Sequence, residues 1–229
     1  MPIYQLSDQF VFPDPSEAEE GILAIGGDLH PSRLLLAYQS GIFPWYSKDE
    51  PIIWWSPDPR FVLFPEDLKV SKSMQQLLKK QAFKVTLDTD FKAVIHQCAT
   101  VRYGDRYDTW ITDDMEDAYL ELHQMGYAHS VEVWDGEDQL VGGLYGIAIG
   151  KCFFGESMFF KQANASKYGF ITLVKLLAEK DYKLIDAQVY TQHLESLGAN
   201  MIPRDIYISM LSALTEEPTD KGSWRDWLK

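Results

Sequence analysis

The change in hydrophobic period near residue 130 does most to limit what this chain can fold into. Before it, Asp113 to Gly126 carries Met115, Ala118, Tyr119 and Leu122 at helical spacing. After it, Ser130-Val131-Glu132-Val133-Trp134 alternates, Asp135-Gly136 turns the chain, and Leu140 to Ile149 and Lys151 to Phe160 continue as an antiparallel meander. The helical period then returns from Asn164 to Lys180, with Phe170, Leu173, Val174 and Leu177 inward. Lys183 to Tyr190 reads as a strand, Thr191 to Leu197 as a helical turn ended by Gly198, and Arg204 to Leu214 as a last helix. Strands followed by helix, strand and helix describe an α+β fold: a mixed sheet with flanking helices.

The first sixty residues read differently. They are dense in turn signals: Phe12-Pro13-Asp14-Pro15, Gly26-Gly27-Asp28, Phe43-Pro44-Trp45-Tyr46 and Ser56-Pro57-Asp58-Pro59. Between them Ser32 to Ser40 reads as a short helix with Ser32 as its N-cap and Gly41 as its stop. A small N-terminal α/β domain over residues 1–60, followed by a larger domain over 61–229, is the expected division. The second domain begins with a strand at Phe61 to Phe64, a helix at Ser71 to Lys80, a strand at Phe83 to Leu87 and a helix at Phe91 to Thr100. The C-terminal arrangement has the form of an acyl-CoA N-acyltransferase (GNAT-like) layer, an analogy of architecture that establishes no reaction.

Hydrophobic residues at 46% and aromatics at 14% supply a packed core and argue against disorder. The longest apolar runs are glycine-broken and too short to cross a bilayer. No basic stretch followed by an apolar core opens the chain, and Cys98 and Cys152 make neither a disulfide framework nor a metal-ligand spacing. A reduced, cytoplasmic protein with no metal is the expectation. The net charge of −13 repels nucleic acid on average. Yet Lys69, Lys72, Lys79, Lys80 and Lys84 fall in one stretch without an acidic residue. That stretch is either a solvated helix face or a patch that contacts phosphates.

Candidate chemistry lies in the C-terminal half. Asp186 and Gln188 are two apart in a strand, so their side chains leave the same face. The apolar neighbours Leu184, Ile185, Ala187 and Val189 imply burial, which an acid tolerates only with a partner. The plainer reading is an Asp that caps the next helix or holds a loop. Gly155-Glu156 interrupts the aromatic strand Phe153 to Phe159; this marks either a bulge beside an edge-strand Glu or an opened strand that receives a substrate beside a carboxylate. Trp45, Trp54, Trp55 and Trp110 sit among turn residues, where an aromatic face either stacks on a nucleobase or packs in the core. No Gly-rich pyrophosphate loop is visible at Phe160-Lys161-Gln162-Ala163-Asn164, and no nucleophile elbow, Walker loop, i, i+4 His pair or CxxC occurs. An acyl donor for such a site should arrive already activated.

The residues that carry a family likeness are Gly21 to Leu29, Ala37 to Tyr46, Pro51 to Arg60, His129 to Trp134, Leu140 to Gly146, Gly155 to Phe159, Asn164 to Lys167, Leu184 to Gln188 and Ser196 to Ala199. In this order they resemble the bacterial leucyl/phenylalanyl-tRNA–protein transferases over nearly the whole chain. The resemblance implies transfer of Leu, Phe or, less readily, Met from aminoacyl-tRNA to a protein that begins with Arg or Lys, which marks it for degradation by the N-end rule. It implies no metal and no CoA or other cofactor; a monomer that engages no membrane is the accompanying expectation. It makes Asp186, Gln188 and Glu156 the catalytic set, Trp45 and Trp110 the contacts of the 3′-terminal adenosine, and Lys69, Lys72, Lys79, Lys80 and Lys84 the contacts of the tRNA backbone. The pocket for the transferred side chain is implied to be Leu144, Phe153, Gly155, Met158, Leu173, Leu177 and Ile185.

Two departures bear on that carry-over. Ala187 stands where the family usually has Cys, and the loop Arg102 to Asp108 before Trp110 is longer than usual. There is also a conflict of face, since strict alternation sends Ile185 opposite to Asp186 although the resemblance places both at the substrate. Within the implied reaction, Asp186 hydrogen-bonded through Gln188 is one acceptor for the amine proton, and the Gln188 amide is alternatively a donor to the oxyanion. Two rival readings stand beside it: an acyl-CoA-dependent N-acyltransferase, and a non-catalytic module that reads cationic protein N-termini through its acidic surface.

Overall fold

In the computed structural model, which describes residues 3–101 and 111–228, the N-terminal turns connect a small four-stranded sheet. Its strands are β1 (Tyr4–Leu6) and β2 (Ile22–Gly26), which pair in parallel, then β3 (Phe43–Pro44) and β4 (Ile53–Trp55), in the order β1-β2-β4-β3; the β2–β4 and β3–β4 pairings are antiparallel. The Gly26-Gly27 pair leaves β2 with φ of 82° and 75°, a region that costs glycine nothing. Between β2 and β3 lies helix α1 (Pro31–Gln39). Its cap is His30 and not the expected Ser32: Pro31, with its preset φ and missing N–H, takes the first helical position, and His30 Nδ1 accepts the Ser32 N–H at 3.2 Å. The chain leaves the helix after its cap Ser40 through Gly41, where φ is 73° and a Cβ would fall 2.4 Å from Ile208. Trp54 is fully buried in this sheet, and its indole N–H donates to the Gly26 carbonyl at 2.8 Å.

The remaining elements are β5 (Arg60–Leu63), α2 (Lys72–Lys79), β6 (Lys84–Leu87), α3 (Phe91–Thr100), α4 (Asp113–Gln124), β7 (Ala128–Trp134), β8 (Leu140–Ile149), β9 (Cys152–Phe160), α5 (Ala165–Glu179), β10 (Leu184–Gln188), α6 (Gln192–Glu195), β11 (Asn200–Ile202) and α7 (Arg204–Glu216). Among the described residues they form a seven-stranded sheet in the order β11-β5-β10-β9-β8-β7-β6. Within it only β9 and β10 pair in parallel, because the crossover between them is helix α5. The fold is therefore α+β with mixed sheets. The expected meander, the helices and β5 all form, with ends displaced by one or a few residues; β1 to β4 and β11 have no counterpart in the expectation.

The alternation of β8 sends Leu144 and Tyr145 into different cores. Leu144 packs with Phe153, Leu173, Leu177 and Ile185 beneath α5, whereas Tyr145 packs with Val94, Tyr119 and Phe154 and on into Leu34 and Tyr38 of α1. Glycines let α5 approach the sheet closely. A Cβ on Gly169 would fall 2.7 Å from Val133, and one on Gly142 would fall 2.7 Å from Ala165 Cβ. No described helix is long and apolar enough to cross a membrane.

Candidate functional site

The site begins where β9 and β10 part. The two strands pair over only Leu184↔Cys152, Ile185↔Phe153 and Asp186↔Phe154. Beyond that point β9 continues on β8, while β10 shifts register against β5 between Asp186 and Gln188. Gln188 has φ of 62°, a left-handed conformation that a side-chain-bearing residue adopts only when its surroundings hold it there. The wedge between the strands opens into a cavity of about 560 Å³. Ile185, Asp186, Ala187 and Gln188 all line it. Strict alternation holds from Ile185 to Asp186, which pair in register with Leu63 and Val62. The Ile185 side chain joins the core beneath α5, Asp186 turns to Arg60 and Tyr207, and the shift comes only after Asp186, at Gln188.

Asp186 is fully buried and has a complete set of partners. Arg60 Nε donates to Oδ1 at 2.8 Å and Arg60 Nη2 to Oδ2 at 2.7 Å, a bidentate pair. The Tyr207 hydroxyl donates to Oδ2 at 2.7 Å, and the backbone N–H of Gln188 donates to Oδ1 at 2.9 Å. Burial opposes the charge on Arg60, but the Asp186 carboxylate more than offsets this and raises its pKa. Arg60 also lies over the rings of Phe43 and Tyr207, at 4.8 and 4.7 Å, and donates to the Gly41 carbonyl at 3.1 Å. The hydrogen bond that joins Asp186 to Gln188 is made by the Gln188 main chain.

The side-chain amide of Gln188 goes to Glu156. Gln188 Nε2 donates to Glu156 Oε1 at 2.8 Å, and the Tyr119 hydroxyl donates to Oε2 at 2.8 Å. Tyr38 and Tyr119 share a further hydrogen bond of 2.5 Å, so a chain of polar groups runs from α1 through α4 to the cavity. Burial, with Glu156 close by, pushes both phenols well above the ordinary range, which keeps them protonated. Desolvation dominates at Glu156 and raises its carboxyl to about 7 against the bonds from Tyr38, Tyr119 and Gln188, with Asp186 adding to the rise. A carboxyl poised there exchanges a proton readily at neutral pH.

Of the expected side-chain pocket, Leu144, Gly155, Met158 and Ile185 line the cavity, joined by Phe170 and Leu194. Phe153 on β9 and Leu173 and Leu177 on α5 are not among its lining residues; all three are buried in the core between α5 and the sheet. Phe170 is legible in sequence as an inward helix residue, but nothing in the pattern places it at the cavity. A Cβ on Gly155 would meet only the Asp186 carbonyl, at 3.7 Å, so its missing side chain leaves the wedge open.

Trp45 is 40% exposed beside Trp55, whose indole N–H donates to the Trp45 carbonyl at 2.7 Å. Trp110 lies outside the described residues. A second cavity of about 580 Å³ adjoins this region, lined by Tyr46, Ile52 and Thr112 and by the acids Asp28, Glu50, Asp113 and Asp114. Lys69, Lys72, Lys79, Lys80 and Lys84 are all exposed, and Lys84 pairs with Asp138 at 3.0 Å. Helix α2 buries only Met74, so its polar face stays in solvent.

Comparison with known proteins agrees along the chain. The family described as leucyl/phenylalanyl-tRNA protein transferase matches residues 62–212, and that described as its N-terminal domain matches residues 27–58. A leucyl/phenylalanyl-tRNA–protein transferase of Syntrophus aciditrophicus is 54% identical over 225 residues, 98% of this chain and 94% of that protein. One from Pseudomonas fluorescens is 57% identical over 205 residues, 89% of each. Among solved structures, L-PGS from Bacillus licheniformis aligns with a TM-score of 0.42 at 10% identity, over 76% of this chain and 57% of that one, a likeness too slight to bear on the fold.

Proposed function

Because the chain belongs to the leucyl/phenylalanyl-tRNA–protein transferase family and is an aminoacyltransferase that acts from tRNA to protein, we propose that it transfers Leu or Phe, and less readily Met, to proteins whose first residue is Arg or Lys. The observation that carries this reading is the wedge between β9 and β10, in which an apolar wall ends on the Glu156–Gln188 pair. A wall of Leu144, Met158, Phe170 and Ile185 suits an unbranched or γ-branched apolar side chain. One methylene more or less is worth only about 1–3 kcal/mol in such a pocket, so relaxed choice among the three donors follows.

In the reaction the acceptor's α-amine attacks the ester carbonyl, a C–N bond forms, and the tRNA 3′ oxygen leaves with a proton. An α-amine with a pKa of roughly 7.7–8.0 is about one tenth neutral at pH 7. The site therefore has to hold and deprotonate the amine more than it has to create a strong nucleophile. Glu156 takes the proton, and Gln188 fixes the orientation of its carboxylate. Asp186, engaged with Arg60 and Tyr207, acts by holding the turned backbone of Gln188. Trp45 and Trp110 receive the terminal adenosine and the lysine run carries the acceptor stem. The same reading divides the chain near residue 60, likens the larger part to an acyl-CoA N-acyltransferase layer, and makes the protein a cytoplasmic monomer of the N-end rule pathway. The test is a transfer assay with labelled Leu-tRNA and no added cofactor, using peptides that begin with Arg, Lys or Gly. Transfer to the first two alone is expected; transfer to none, or to all three alike, overturns the reading.

A further inference from the structure

The cavity has further polar lining that proton transfer at Glu156 leaves unused. His193, on α6, lines the cavity together with Ser166 from the first turn of α5 and Thr191. Its Nε2 is enclosed and has no hydrogen-bond partner among the described residues. An enclosed polar atom without a partner costs stability, and the cost is recovered when a ligand supplies the missing bond. Burial and then the nearby Lys167 lower the His193 pKa, so the ring is a neutral imidazole at neutral pH. Thr191 Oγ1 already accepts the Leu194 N–H at 3.2 Å as the cap of α6, which leaves its hydroxyl proton to donate. Ser166 is 3% exposed and adds a second hydroxyl-bearing residue to the lining.

The proposed substrates offer few groups that fit there. The transferred side chain is apolar and matches the wall of Leu144, Met158, Phe170 and Ile185. The acceptor's amine is drawn to the carboxylate of Glu156. A neutral imidazole flanked by a lysine is a poor host for a cationic side chain. After its first residue an acceptor protein varies in sequence, and what every acceptor shares is the peptide group, with one N–H donor and one C=O acceptor. A neutral His and two hydroxyls, each able to donate or accept, match that group. Phe160 lines this cavity at 43% exposure, and Tyr190, next in the chain to the lining residue Val189, is 50% exposed.

We propose that His193, with the hydroxyls of Ser166 and Thr191, forms a main-chain subsite that binds the first peptide group of the acceptor protein. The subsite rests on the transfer reading of the cavity. It explains how one enzyme accepts proteins that share only their first residue, because main-chain bonds add affinity without reading sequence.

The test uses the full chain, Leu-tRNA and two acceptors: an Arg-initiated peptide, and the same peptide with an ester in place of its first peptide bond. The ester lacks the N–H and has a weaker carbonyl acceptor. In the wild type the peptide should show a KM lower by about five- to ten-fold, the equivalent of one hydrogen bond. His193→Leu should raise the peptide KM by a similar factor and remove the difference between the acceptors, with kcat and the Leu-tRNA KM unchanged. His193→Gln, which keeps a polar group near the place of Nε2, should restore most of the difference. If the Leu-tRNA KM moves instead, or if His193→Leu affects both acceptors equally, the subsite is wrong while the transfer reading stands. If the wild type transfers to neither acceptor, the transfer reading falls and the subsite with it.

Discussion

At the scale of single residues, two carboxylates in one wedge have been given opposite tasks by their neighbours. Asp186 has both oxygens engaged by Arg60, Tyr207 and the Gln188 backbone, so its orientation is fixed. Among the described residues Glu156 is met by neutral donors, the hydroxyls of Tyr38 and Tyr119 and the Gln188 amide, and burial lifts its carboxyl to about 7. The sign of the consequence for stability follows from linkage. A carboxyl whose folded pKa exceeds its unfolded value favours the folded state fully below the unfolded value, and this contribution is lost as pH rises through the folded one. Glu156 should therefore make the wild type progressively less stable between about pH 4.5 and pH 7. Glu156→Gln has no such titration, although its amide opposes the Gln188 amide and imposes a constant loss. Thermal melts from about pH 5 to pH 8 should show the melting temperature of the wild type falling relative to that of the variant. A constant difference across that range would mean that Glu156 keeps an ordinary pKa.

At the scale of elements, the sequence pattern is most informative where a period is sustained and least where two distant segments meet. The change from helical to alternating period makes β7, β8 and β9 readable, and the expected helix starts at Ser71 and Asn164 fall one residue ahead of α2 and α5. The short strands β1 to β4 escape, because two to five residues between prolines and glycines carry no usable period. The turn of β10 at Gln188 also escapes, since a bulge leaves no periodic trace. In sequence Arg60 is no more than the end of the first domain. Nothing in a linear pattern joins position 60 to position 186, although that pair fixes the floor of the site. The lysine run is legible as charge but undecided as function, and α2 decides what can be asked of it. Lys79 and Lys80 are exposed and form no ion pair among the described residues, whereas Lys84 is paired with Asp138. Lys79→Ala/Lys80→Ala should weaken tRNA binding and flatten the dependence of log Kd on log salt by roughly 0.9 for each duplex phosphate no longer neutralised. Lys84→Ala, whose charge is already partly compensated, should do less. Equal binding isotherms for wild type and double variant at two salt concentrations would reduce the run to a solvated face.

At the scale of the whole molecule, the wedge keeps its shape because segments far apart in sequence close around the large sheet. Arg60 and Tyr38 tie the N-terminal elements to β10, α4 and α7. At the opposite end, the segment after α7 folds back across the sheet and is fastened at Trp224. Its ring is 1% exposed and stacks at 3.6 Å on His129 and at 4.2 Å on Trp227, while its backbone N–H donates to Asp88 Oδ2 at 2.7 Å. The same Asp88 oxygen also bonds His129 Nδ1 at 2.9 Å, so a buried polar pair and an aromatic stack share one anchor. Lys151 reinforces the anchor through Asp220 at 3.0 Å. Trp224 meets Phe153 in the core beneath the wedge, at 6.1 Å between rings, and is not itself one of the residues that line the cavity. Trp224→Ala should therefore cost about 3–5 kcal/mol of folding stability, the usual loss for a buried tryptophan. It should leave the transfer rate per folded molecule near that of the wild type. Urea unfolding measures the first quantity, and the transfer assay at low temperature, corrected for the folded fraction, measures the second. A large loss of rate with little loss of stability would place the anchor in the path of the reaction, and the C-terminal segment would then have to be counted as part of the site.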